Sequence, residues 1–96
     1  MQNNIKYSYG YYKDGNYYII ECLNNYELFG QSESKEDILK NAVDFTTGII
    51  KLCLVDKVPF PDNKSLVRNR SKYEKVFNLY FDAKTSKYIQ KQSEKV

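Results

Sequence analysis

Ile5-Lys6-Tyr7-Ser8-Tyr9-Gly10-Tyr11-Tyr12-Lys13-Asp14-Gly15-Asn16-Tyr17-Tyr18-Ile19-Ile20-Glu21-Cys22-Leu23 is the stretch whose reading decides the fold. Ile5, Tyr7, Tyr9 and Tyr11 alternate with Lys6, Ser8, Gly10 and Tyr12, and a period of two marks a strand with two distinct faces. Asp14-Gly15 then supplies a two-residue turn, because both residue types tolerate positive φ. Tyr17 to Leu23 is rich in aromatic and β-branched residues and reads as the returning strand. Asn24 and Asn25 break that run. Tyr26 to Gln31 offers a short third strand in which Gly30 marks a bulge or a close backbone approach. Three strands in a meander are not stable alone, so one face must be covered.

The cover is the next segment. Ser34 is a suitable N-cap, with Glu36 and Asp37 in the first turn, where the helix dipole favours negative charge. Ile38, Ala42, Phe45, Ile49 and Cys53 recur at helical spacing, and Leu39, Val43, Thr46, Ile50 and Leu54 widen the stripe. Gly48 inside this pattern points to close packing or a kink. The helix is expected to end near Asp56 or Lys57, since Pro59 and Pro61 cannot continue it. Residues 63–72 form a basic loop. Tyr73 to Asp82 reads as a last strand, and Ala83 to about Gln92 as a short closing helix with Asp82 as its cap. The expected order is β-β-β-α-β-α, an α+β domain spanning residues 1–96 in which one long helix covers one face of an antiparallel meander.

Charge divides the chain in two. Residues 1–62 hold six lysines against nine carboxylates, a net of −3, whereas residues 63–96 hold nine basic side chains against three acidic ones, a net of +6. The asymmetry suggests either two differently charged partner surfaces or simply a solvated, lysine-rich surface. The sequence has no histidine, which removes the commonest general base, and Cys22 and Cys53 lack any ligand spacing. Both cysteines fall in apolar runs and read as buried thiols. No apolar leader precedes the first strand, and the longest apolar run, about Ile49 to Val55, is too short to span a bilayer. The expectation is a cytoplasmic protein without cofactor or metal.

Several segments, taken in order, resemble the HicB antitoxin family. The Tyr-rich first strand is followed by Asp14-Gly15 and Tyr17-Tyr18-Ile19-Ile20-Glu21, and a turn then leads to Phe29-Gly30-Gln31. Ser34-Lys35-Glu36-Asp37-Ile38-Leu39-Lys40-Asn41-Ala42 is similar to the family's helix start, and Val58-Pro59-Phe60-Pro61 to its Pro-x-Pro exit. The likeness covers residues 5–62 and extends to 73–82 by strand placement. It implies a partial RNase H-like fold and a role in binding and masking a small basic ribonuclease toxin, HicA, with dimeric or higher assembly. Leu23 to Glu27 departs from the family's usual turn, and no segment after the last strand reads as a separate DNA-binding domain. The resemblance therefore implies a diverged or orphan member.

On this reading the toxin-facing residues are Glu21, Asn24, Asn25, Tyr26, Glu27, Glu33 and Glu36. The alternative is a nucleic-acid module, in which outward tyrosines stack on bases and Lys64, Arg68, Arg70, Lys72 and Lys75 contact phosphates. Some tyrosines must face outward, because Tyr7, Tyr9, Tyr11, Tyr12, Tyr17 and Tyr18 cannot all lie under one helix. Metal-dependent hydrolysis would need carboxylates converging on magnesium, and the candidates are Glu21, Glu27, Glu36, Asp37, Asp44 and Asp82. Helix-terminus chemistry already explains Glu36 and Asp37, so the chain is read as a binding protein and not an enzyme.

Overall fold

A computed structural model describes residues 4–61 and 66–89. Five strands form one antiparallel sheet: β1 (Asn4–Asp14), β2 (Tyr17–Cys22), β3 (Phe29–Ser32), β4 (Lys75–Asp82) and β5 (Tyr88–Ile89), in the order β3-β2-β1-β4-β5. One long helix, α1 (Ile38–Asp56), lies between β3 and β4 in sequence. The class is α+β, and β1 is the central strand, paired along its length with β2 and β4.

Local chemistry sets these elements. The β1–β2 turn sits one residue later than the expected Asp14-Gly15: Asp14 still pairs with Tyr17, Gly15 and Asn16 are the two turn residues, and Gly15 alone takes positive φ, 63°. Register then sorts the side chains. Ile5, Tyr7, Tyr9 and Tyr11 share a face with Ile20, Cys22, Leu79 and Phe81, and all eight are buried. Over this face α1 lays Ile38, Ala42, Thr46 and Ile50, with Phe45 and Ile49 flanking them. The Tyr9 hydroxyl meets Thr46 Oγ1 in a buried hydrogen bond, and its ring packs edge-on to Phe45 at 5.7 Å between centroids. Burial raises the Tyr9 phenol well above its ordinary value, so it is a neutral hydrogen-bonding group. Gly30 is the close approach anticipated for it: a Cβ there would stand 2.5 Å from Phe45 Cε2.

Three further expectations are corrected. The closing helix from Ala83 is a turn followed by β5, which pairs with β4 through Tyr80–Ile89 and Phe81–Tyr88. Asp82 does cap, but it caps that turn: its Oδ1 accepts the Lys84 and Thr85 backbone N–H groups, and Ser86 takes φ 65° to start the return. The part of the expected helix from Gln90 lies outside the described residues. Ser34 caps no backbone group. Its hydroxyl donates to Asp37 Oδ2, and a 3-10 turn, Lys35–Asp37, leads into α1. Gly48 is not closely packed, for a Cβ there would meet no heavy atom within 4 Å. α1 ends at Lys57, which takes the left-handed conformation ahead of Pro59.

Candidate functional site

Residues 66–73 lie on the face of the sheet opposite the helix. Val67 N–H donates to Leu23 O at 2.6 Å, Asn69 caps a 3-10 turn (Arg70–Lys72), and Glu74 N–H joins the β-ladder at Tyr11 O at 2.8 Å. Residues 66–73 thus form a strap across β1 and β2. Gly10 makes room for it: a Cβ at that position would lie 2.5 Å from Tyr73 Cγ.

Glu21 is where the strap is fastened. Its Oε1 accepts the Tyr73 hydroxyl at 2.8 Å and the Lys72 ammonium at 3.0 Å, with Arg68 Nε at 3.7 Å. Burial alone would raise the Glu21 carboxyl, but the Tyr73 hydroxyl, the Lys72 ammonium and the Arg68 guanidinium outweigh it and hold the carboxyl below its ordinary value. Burial and the same carboxylate push the Tyr73 phenol up. Arg68 donates from Nη1 to Cys22 O and from Nη2 to Tyr26 O, and its guanidinium stands 4.8 Å over the Tyr26 ring. Lys72 Nζ lies 5.0 Å from the Tyr12 ring centroid.

Residues assigned from sequence to two separate surfaces therefore meet in one cluster. Glu21 and Tyr26, expected to face a toxin, hold Arg68 and Lys72, expected to face phosphates. Asn24 and Asn25 serve the fold: Asn24 Oδ1 accepts Ser8 N–H at 2.6 Å, and Asn25 Oδ1 accepts Glu27 N–H at 2.7 Å. Glu27, Glu33 and Glu36 are exposed, Glu27 ahead of β3 and Glu33 and Glu36 after it. Arg70 and Lys75 are exposed at the strap's end and the start of β4, and Lys64 lies outside the described residues. Tyr73 and Tyr12 complete the cluster; from sequence, Tyr12 stands only among the tyrosines that cannot all lie under the helix, and Tyr73 only as the start of the last strand. The available signal was Gly10, a missing side chain inside a run of tyrosines.

The carboxylates weighed for metal chemistry are dispersed among other tasks. Glu21 fastens the strap, Asp37 accepts Ser34, Asp44 pairs with Lys40, and Asp82 holds its turn. Among the described residues, no three Asp, Glu or Cys side chains converge to hold a metal ion. Burial pushes the Cys22 thiol up to about 11, which keeps it protonated and unreactive at neutral pH. No helix among the described residues is long and apolar enough to cross a membrane.

Apolar surface gathers beside the exposed acids. Tyr26 is 62% and Phe29 63% exposed, and Tyr17 is also exposed on β2. No protein-family model, no curated protein and no solved structure matches this chain.

Proposed function

We propose that this chain is a protein-binding module, not an enzyme, and that its partner is a small basic protein of the HicA ribonuclease-toxin type, which it would bind and mask. The observation that carries the reading is the character of the surface around β3. Phe29 and Tyr26 are exposed there, with exposed Glu27 ahead of the strand and exposed Glu33 and Glu36 after it in sequence. The lysines nearby are already committed, Lys35 to Glu74 at 2.7 Å and Lys40 to Asp44 at 3.1 Å. Exposed aromatic side chains with exposed carboxylates before and after them in sequence suit a cationic protein partner. The ordered resemblance over residues 5–62 supplies the class of that partner, and a partial RNase H-like relationship and a homodimer belong to the same reading.

Co-expression with the open reading frame beside this gene is the direct test. The reading expects a short basic product that co-purifies with this chain and whose ribonuclease activity is suppressed in the complex. A neighbour that neither co-purifies nor cleaves RNA would sink it. The nucleic-acid alternative rests on fewer groups than its sequence basis offered, because Arg68 and Lys72 are paired with Glu21 and Tyr7, Tyr9 and Tyr11 are buried. Fluorescence anisotropy with oligonucleotides at two salt concentrations decides it, since phosphate contacts give a steep salt slope.

A further inference from the structure

β3 is one outer edge of the sheet. The register fixes which of its backbone groups look outward. Cys22 N–H donates to Leu28 O, so the pairs of the same parity, Ile20–Gly30 and Tyr18–Ser32, exchange hydrogen bonds. Phe29 and Gln31 consequently turn their N–H and C=O groups away from β2. The Gln31 carbonyl bears this out, because it receives Asn41 Nδ2 of α1 at 3.4 Å, a long contact that an incoming donor could replace.

An exposed apolar group stands on each face beside this edge. Phe45 covers Gly30 and Asn41 reaches Gln31, so Gly48 and Leu52, three and seven residues beyond Phe45, lie on the same flank of α1. A Cβ at Gly48 would meet nothing within 4 Å, and Leu52 is 63% exposed. On the other face stands Phe29. A strand laid along β3 and running on past its Phe29 end would have the Gly48–Leu52 flank of α1 on one face and Phe29 on the other. Unpaired edges normally carry a guard such as lysine or proline, and Phe29-Gly30-Gln31-Ser32 has neither. Glu27 precedes the strand, and Glu33 and Glu36 follow it, all exposed.

We propose that the outer edge of β3, with the Gly48–Leu52 flank of α1, is a strand-docking site for an extended segment of a protein partner, apolar in its middle and basic at its ends. Backbone hydrogen bonds to Phe29 and Gln31 supply the pairing, Leu52 and Phe29 take the alternate side chains, and Glu27 and Glu33 select the basic ends. This rests on the protein-binding reading above and names its surface.

The test uses the full chain and two synthetic peptides, Lys-Val-Thr-Val-Thr-Val-Lys and its counterpart with glutamate at both ends. The basic peptide is expected to bind at least about tenfold tighter than the acidic one, a difference of about 1.4 kcal/mol. It should shift the Phe29 and Gln31 amide NMR signals and slow their hydrogen exchange. Gln31→Pro removes only an outward N–H, a change edge strands tolerate. It should weaken the basic peptide at least about tenfold while leaving the melting temperature within a few degrees, and Glu33→Lys should narrow the preference between peptides. Binding that ignores Gln31→Pro, equal affinity for the two peptides, or no change at the edge amides would overturn the proposal. So would edge shifts that grow with protein concentration in the absence of peptide, which would make a second copy of this chain the occupant. If the neighbouring gene product still co-purifies with Gln31→Pro at full strength, the docking surface is wrong and the protein-binding reading stands; if it never co-purifies with the wild-type chain, that reading itself fails.

Discussion

The Tyr73 hydroxyl donates to Glu21 Oε1 at 2.8 Å across a sequence separation of 52 residues. The same tyrosine ring lies against the bare backbone of Gly10. One side chain thereby ties the strap to both β1 and β2, and it does so on the sheet face that α1 leaves uncovered. A strap so placed shields backbone and carboxylate from water, and its loss would expose both.

Gly10→Ala should act through Tyr73. The added methyl meets Tyr73 at its Cβ, Cγ and Cδ2, between 2.5 and 2.9 Å, and a ring root cannot swing aside as a chain end could. Overpacking of this kind costs about 1–3 kcal/mol. Urea denaturation of Gly10→Ala, Tyr73→Ala and the double variant checks it. The double variant should lose less than the two single losses together, since the clash vanishes with the ring. Strict additivity would show that Gly10 and Tyr73 do not compete for the same space.

Glu21→Gln should flatten the acid limb of the stability profile. The folded Glu21 carboxyl titrates below its ordinary value of 4.5. A depressed carboxyl contributes stability fully above the unfolded value, and that contribution is lost as pH falls through the folded one. Near neutral pH, Glu21→Gln is expected to be about 1–3 kcal/mol less stable, because Lys72 and Arg68 lose a half-buried partner. The gap should stay constant down to about the ordinary glutamate value and close below it. A gap that persists unchanged into strong acid would mean that the charge on Glu21 does not hold the strap.

What sequence could and could not supply follows from the range of the interactions. The β1–β2 hairpin and α1 rest on local chemistry: alternation from Ile5 to Tyr12, positive φ at Gly15, and the periodic row from Ile38 to Ile50. Each is legible because its partners are near in sequence. The Glu21 cluster joins residues about fifty positions apart, and no spacing announces it. Asp82 misled for another reason. An aspartate that caps a helix and one that closes a turn accept the same backbone N–H groups, so residue type alone does not separate them. The two charge blocks were visible, but neutralisation of part of the basic block by Glu21 needed the fold.

Thr46→Val should cost more than its shape suggests. Thr46 and Tyr9 are both fully buried, and each supplies the other's hydroxyl partner. Valine matches threonine in shape and leaves the Tyr9 hydroxyl buried with nothing to bond, a penalty of about 1–3 kcal/mol. Tyr9→Phe in the same background should recover part of it, because removing both polar groups removes the unmet demand. Thermal denaturation of the two single variants and the double decides this. A double variant as unstable as the sum of the singles would contradict a shared hydrogen bond as the source.

Gly48→Ala is expected to stabilise the protein. Gly48 sits within the continuous helix α1, takes no positive φ, and has open space where a Cβ would go. Alanine lowers the backbone entropy of the unfolded chain and favours the helix by about 0.5–1 kcal/mol, with no contact to disturb. The midpoint of thermal unfolding should rise accordingly. The same position separates stability from docking: Gly48→Glu should leave the helix intact, since glutamate is also a good helix former, yet place bulk and charge where an added strand would pack. If Gly48→Glu bound the lysine-ended peptide as well as Gly48→Ala does, the flank of α1 would have no part in the β3 edge site, whatever the edge itself does.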